Sequence, residues 1–174
     1  MSSAEIKLRR LTLADAVVYR DIRLEALRLA PEAFGSTFGA ENSQPLSWFA
    51  ARLENSAVFA AFSGDDITGT AAFRPNYGPK DSHRGVLVGI YVRAVARRRG
   101  IGRRLVEAVI EHARRHVEIL ELRVISDNET ARHLYQCLGF VEYGIERNAL
   151  KQDDHYWDEI LMAKPLLPDE DTAS

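Results

Sequence analysis

One cysteine, Cys137, stands among the 174 residues. An internal disulfide is excluded, and a chain without bridges fits a reducing compartment. No apolar run approaches the roughly 18 residues of a membrane-spanning helix, so no membrane partner is expected. The start, Met1-Ser2-Ser3-Ala4-Glu5, lacks the basic-then-apolar order of a secretory signal. The expected location is cytoplasmic. Neither charge sign dominates: 23 basic against 25 acidic residues leave a net charge of −2, which argues against a general nucleic-acid binder. Internal repeats and low-complexity segments are absent. At this length one domain over residues 1–167 is expected. The tail Pro168–Ser174 is acidic and polar, and is expected to fray.

What is present centres on Val86-Leu87-Val88-Gly89-Ile90-Tyr91-Val92, an apolar, β-branched run that reads as a buried strand. After a short connection, Arg97-Arg98-Arg99-Gly100-Ile101-Gly102-Arg103 opens an amphipathic stretch running to Arg115. The first turn of a helix has N–H groups without intrahelical partners, and the peptide dipoles add partial positive charge there. Glycines let a bulky anion approach the backbone, and arginines raise the local potential. The stretch therefore reads as a cradle for a phosphorylated ligand. It is not the dinucleotide fingerprint, because Leu105 stands where the third glycine belongs, and the G-x-x-x-x-G-K-[ST] phosphate loop is absent.

The remaining elements follow from periodicity and punctuation. Ile6–Leu11 alternates as a half-buried strand. Thr12 caps a helix reaching Leu29, which Pro31 ends. Pro31–Ser43 has no clear period and reads as a turn or loop, its phenylalanines lining a pocket or plugging the core. Leu46–Leu53 is a short helix. Ala57–Phe62 and Ile67–Phe73 are strands around a Ser63-Gly64-Asp65-Asp66 turn. Arg74–Arg84 is a loop. Glu118–Ile125 is a strand with Leu120, Leu122 and Val124 on one face, Glu121 and Arg123 on the other. Asp127 or Asn128 caps a helix over Glu129–Leu138, closed by Gly139. Phe140–Leu150 and Tyr156–Lys164 are a final strand pair. The order β-α-α-β-β-β-α-β-α-β-β gives an α/β class, a mixed and mostly antiparallel sheet of about seven strands with helices on both faces.

Arg97-x-x-Gly100-x-Gly102 after a strand resembles the acetyl-CoA-binding motif of the GCN5-related N-acetyltransferases (GNAT). Val124-x-x-x-Asn128-x-x-Ala131-x-x-Leu134-Tyr135-x-x-Leu138-Gly139-Phe140 resembles the second signature of the same family, in the right order about 25 residues on. The resemblance implies acyl-CoA N-acyltransferase architecture and acetyl transfer from acetyl-CoA to a primary amine, by direct attack in a ternary complex and without a metal. It implies that the pyrophosphate rests on the N–H groups of Arg98, Arg99, Gly100, Ile101, Gly102 and Arg103. The pantetheine arm pairs with Ile90, Tyr91 and Val92, and Asn128 contacts the arm. In the family the tyrosine here numbered 135 donates a proton to the departing thiolate. A phenol of pKa about 10 is protonated at neutral pH and suits that task. The competing role for Tyr135 is core packing, and for Asn128 a helix cap.

The general base is the weak point. Where some members carry a glutamate this chain has Val86, and where others carry one it has Arg123. Glu121, on the face of Arg123, is the candidate, acting through a water; otherwise it pairs with Arg123 or Lys164. Glu41, Glu25, Tyr91 and His83 are unranked alternatives. The family's acceptor groove corresponds to Leu27–Phe49, Asn76–Ser82 and Arg147–Tyr156. Its acidic residues, Glu25 and Glu41 among them, suit a cationic amine, whereas Arg147 or Lys151 suits an acceptor carboxylate. A small amine or amino acid is favoured over a protein N-terminus or lysine, and dimerisation is a family habit.

Other signals carry less. His112 and His116 have the spacing of helical zinc ligands but lack the glutamate and third ligand of a metalloprotease. Cys137 is expected to be a buried, inert thiol. The arginine run invites an RNA reading, but no aromatic stacking platform accompanies it, so no nucleic-acid partner is expected. Two other classes stay open: a non-catalytic acyl-CoA-binding module, which would tolerate Tyr135→Phe, and an RNA-associated protein with steeply salt-dependent binding.

Overall fold

The structure is a computed structural model and describes residues 5–166; the N-terminal signal reading and the expected frayed tail lie outside those residues. A seven-stranded sheet has the order β1-β2-β3-β4-β5-β7-β6. Its strands are β1 (Ile6–Arg10), β2 (Ala57–Ser63), β3 (Asp66–Pro75), β4 (Arg84–Val92), β5 (Ile119–Ile125), β6 (Val141–Gln152) and β7 (His155–Pro165). The helices are α1 (Ala16–Leu29), α2 (Phe38–Asn42), α3 (Leu46–Asn55), α4 (Ile101–Ala113) and α5 (Glu129–Cys137). The expected α/β class and mostly antiparallel sheet are what the chain adopts.

The chain forms two compact units. Among the described residues, one comprises 5–74 and 87–109, the other 75–86 and 110–166. In the first, β1 and β2 pair antiparallel from Ile6↔Ser63 to Arg10↔Phe59, and β2 pairs with β3 from Ala57↔Phe73 to Ser63↔Asp66. Its core gathers Tyr19, Ile22 and Ala26 of α1, Phe49 and Leu53 of α3, and Val58, Ala60, Ala72 and Tyr91 of the strands. Tyr19 meets Phe49 edge-on at 6.3 Å, and Trp48 meets Phe49 at 5.0 Å. In the second unit, β4 runs parallel to β5 through Arg84↔Ile119, Gly85↔Leu120 and Val86↔Glu121. β5 pairs with β7 and β7 with β6, both antiparallel. Leu120, Leu122, Ile160 and Met162 are buried there, as the period-2 pattern of these strands demands.

Two details depart from the sequence reading. Within Pro31–Ser43, expected as a turn or loop, α2 forms over five residues, too few to show a helical period. Thr37 caps it, its Oγ1 accepting from the Ala40 N–H at 3.2 Å. Helix α1 proper starts at Ala16, after a 3-10 turn over Leu13–Asp15. That turn is tied by the Thr12 N–H donating to Asp15 Oδ2 at 2.7 Å and by Arg9, whose Nη1 and Nη2 reach the same carboxylate at 2.9 and 2.8 Å.

The hydrogen bonds from Arg9 hold the Asp15 carboxyl down at about 2, against an ordinary 3.8. A depressed carboxylate contributes stability above its ordinary value and loses it as pH falls through the folded one. Urea unfolding should show that Asp15→Asn costs about 1 kcal/mol at neutral pH, the scale of a lost helix cap. The deficit should shrink as pH is lowered from about 4 towards 2.

Candidate functional site

In the first unit the site begins with β4. Gly89 interrupts the strand with φ +65, and its carbonyl accepts from Thr70 Oγ1 at 3.3 Å. Beyond it Ile90 and Val92 are half-buried while Tyr91 is buried, so alternate residues turn to the core. Glu25 of α1 grips the end of the strand. Its Oε1 accepts from Tyr91 Oη at 3.1 Å, and its Oε2 takes Arg93 Nε at 3.0 Å. Arg93 also donates through Nη1 to the Ile67 carbonyl at 2.8 Å. Burial and the Glu25 charge push the Tyr91 phenol up, so it stays protonated and donates.

Past β4 the chain turns into α4. Arg98 has φ 61 and Gly100 φ 70, left-handed conformations that fold the loop tightly. The N–H groups of the first turn of α4, Ile101 to Arg103, have no intrahelical acceptor. Ile101 is buried and anchors the helix start. Arg97 braces the loop, its Nε donating to the Val92 carbonyl at 3.1 Å. Arg98, Arg99 and Arg103 are exposed around the turn. A pyrophosphate fits this donor set.

In the second unit, Ser126–Asn128 leads from β5 into α5. Asn128 is the N-cap: its Oδ1 accepts from the Ala131 N–H at 3.1 Å. The cap uses the oxygen and not the NH2 group. Tyr135 lies two turns on, hence on the same helix face. It is buried and meets Phe140 edge-on at 5.9 Å. Burial pushes its phenol far above the ordinary tyrosine value, so at neutral pH the group is a donor. Cys137, expected buried, is exposed, with Sγ 3.5 Å from His133 Nε2. Two residues beyond Tyr135 along a helix is about 200° around it, the opposite face.

The carboxylates differ from expectation. Glu121 pairs with Arg84 rather than with Arg123 or Lys164, and accepts from Tyr143 Oη at 3.1 Å. The Arg84 hydrogen bond lowers its pKa, which makes it a weaker proton acceptor. Arg123 pairs instead with Glu146, and stands 3.6 Å from Glu159. Glu159, half-buried on β7 directly across from Glu146, was missed from sequence. Burial raises its pKa and Glu146 adds to this, against the charge of Arg123. Only the pairing of β6 with β7 brings out this residue. Glu41, expected to face a cationic amine, is buried and neutralised: Arg23 binds it at 2.7 Å and Arg52 at 3.2 Å.

The cradle and the strand edge thus lie together in one unit; Glu121, Asn128 and Tyr135 lie in the other. A positively lined turn between a sheet strand and a helix N-terminus is thus set on an acyl-CoA N-acyltransferase fold. The model of the acetyltransferase (GNAT) family matches residues 23–140, and the chain belongs to that family. The acetyltransferase of the GNAT family from Streptococcus pneumoniae is similar, with 23% identity over 93% of this chain and 99% of that one and a TM-score of 0.81. So is the ribosomal-protein-alanine N-acetyltransferase from Brucella melitensis, with 25% identity over 92% and 99% and a TM-score of 0.77. A proposed acetyltransferase from Salmonella typhimurium, solved with its cofactor acetyl-CoA, has 22% identity over 97% and 96% and a TM-score of 0.77.

A Cβ at Gly100 would meet nothing within 4 Å, so any cost of Gly100→Ala comes from the left-handed backbone, about 1–2 kcal/mol. The expected outcome is a lower melting temperature together with weaker CoA binding by calorimetry. Unchanged affinity would mean that the turn's conformation does not shape the cradle.

Proposed function

We propose that the protein is an acetyl-CoA-dependent N-acetyltransferase, acting on a small amine or amino acid in the cytoplasm, with residues 1–167 as its working domain. The observation that carries this reading is the left-handed turn at Arg98 and Gly100, which delivers the chain from β4 to the N-terminus of α4. Bound there, acetyl-CoA supplies a thioester carbonyl as electrophile and a thiolate as leaving group. The residues of the chain do the rest. Main-chain donors of the first turn of α4, with Arg98, Arg99 and Arg103 around them, bind the pyrophosphate. The backbone at Ile90, Tyr91 and Val92 aligns the amide arm in the manner of an added strand, and the Asn128 NH2 assists it. Tyr135 gives its hydroxyl proton to the sulfur as the carbon–sulfur bond breaks.

Removing the proton of the acceptor ammonium needs a carboxylate of raised basicity. Glu121 was the candidate from sequence, yet Arg84 holds it in its charged form. Glu159 is the more basic of the two. Replacing each by glutamine should therefore shift the acid limb of the kcat/KM profile more for Glu159→Gln than for Glu121→Gln.

A second reading, acetylation of a protein N-terminus, is favoured by the likeness to the Brucella melitensis ribosomal-protein-alanine N-acetyltransferase. Release of CoA thiol across amines, amino acids and short peptides separates the two. Tyr135→Phe should keep the fold, since it removes only a hydroxyl from an apolar setting, and lower kcat at least about tenfold, the lower range for a lost proton donor being 10². Full turnover in Tyr135→Phe would remove the tyrosine from the mechanism. Binding of acetyl-CoA without turnover of any acceptor would favour a non-catalytic acyl-CoA-binding module.

A further inference from the structure

Arg23 of α1 is held as a rigid fork with one edge in use. Its side chain is 10% exposed. Nε donates to Glu41 Oε2 at 2.9 Å and Nη2 to Oε1 at 2.7 Å. The guanidinium carbon lies 5.0 Å from the Phe34 ring centroid. Glu41 is itself pinned by Arg52 Nη1 at 3.2 Å, and Arg52 rests over Trp48 at 4.7 Å. The Arg23 plane can neither tilt nor rotate without breaking this set. A guanidinium has five N–H groups in a planar fork, and two of its edges can each grip a carboxylate. Glu41 occupies the edge made by Nε and Nη2. The edge made by Nη1 and the second N–H of Nη2 lies outside that pairing.

The position of Nη1 gives that edge a use. It is 4.0 Å from where a Cβ on Gly89 would be. Gly89 is the left-handed residue immediately before Ile90-Tyr91-Val92, the segment assigned above to the cofactor arm. The second edge of the fork is therefore presented where β4 carries no side chain. The charge balance points the same way. Arg23, Arg52 and Glu41 sum to one positive charge. Arg20, on the same helix with its carbon 5.7 Å from the Phe49 ring, adds another, and its Nε is buried without a hydrogen-bond partner. Such a cluster disfavours a bare ammonium and favours an anion.

We propose that the acceptor carries a carboxylate and that Arg23 is the residue that reads it, which makes the substrate a free amino acid or a similar small amino acid. This rests on the transferase reading above. Glu41 serves to aim Arg23 and to lock its plane, not to receive the amine. A peptide N-terminus presents a neutral amide in place of the α-carboxylate, so it cannot pair with the fork as a charged bidentate partner.

The test uses the full chain, acetyl-CoA and a thiol-release assay with matched acceptors: the common amino acids, their α-amides, their decarboxylated amines and short peptides. The expected result is kcat/KM at least about tenfold higher for an acid than for its amide, the scale of a charge-assisted hydrogen bond. Arg23→Gln should bring that ratio close to one. Arg23→Lys, which keeps the charge and loses the fork, should fall between. The wild-type comparison needs no variant, so it stands even if removing Arg23 unsettles Glu41. An amide or peptide used as well as the acid would overturn the carboxylate anchor and leave the transferase reading intact. No transfer to any acceptor would overturn the transferase reading, and the anchor with it.

Discussion

The grip of Glu25 on the end of β4 is the interaction on which the functional half of the first unit depends. Strand β4 has two incompatible duties. Tyr91 belongs to the core, and its neighbours Ile90 and Val92, in the proposed function, keep accessible main chain for the cofactor arm. A strand freed on one side loses cross-strand order. The Tyr91 hydroxyl and the Arg93 guanidinium, both converging on one carboxylate of α1, restore that order from the helix side. Arg93 passes it on to the Ile67 carbonyl, and Arg97 folds back on Val92. By the time the chain reaches Arg98 and Gly100, the direction of the turn into α4 is settled by contacts that precede it.

Environment sorts the carboxylates of this chain into distinct tasks. Asp15 is a half-buried helix-start anchor gripped by Arg9. Glu41 is a buried counter-ion between two arginines. Glu121 is held by Arg84 at the first residues of the parallel β4–β5 pairing. Glu159, across from a like charge on β6, keeps the most basic character of the four. Residue type does not distinguish them; partner and burial do.

The architecture was legible because its signals are local. Leu120, Leu122 and Val124 alternate, Asn128 precedes a helix, and Gly100 and Gly102 follow a β-branched run. These features depend on neighbours in sequence, and the structure places each where the pattern does. The misreadings concern partners distant in sequence. Glu41 is acidic and sits in a region without period, so it reads as a groove acid that could meet a cationic amine. Only the packing of α1 and α3 supplies Arg23 and Arg52. Glu121 was the candidate base, with Arg123 or Lys164 as its alternative partner, but β4 brings in Arg84 and β6 brings in Tyr143. Cys137 was expected in the core because free cysteines are mostly buried. Its angle from Tyr135 puts it outside. Glu159 gave no signal at all, since its character comes from the β6–β7 register.

The contrast in burial between the arginines of the turn and Arg23 has a consequence for ionic strength. Arg98, Arg99 and Arg103 stand in solvent, where mobile ions screen charge over about 8 Å at physiological salt. Arg23 and Glu41 are largely buried, where mobile ions screen charge much less. Added salt therefore weakens attraction to phosphate at the start of α4 while leaving the Arg23–Glu41 cluster nearly untouched. Salt thus tunes any pull of the exposed turn on an anion and leaves the geometry beside Gly89 fixed.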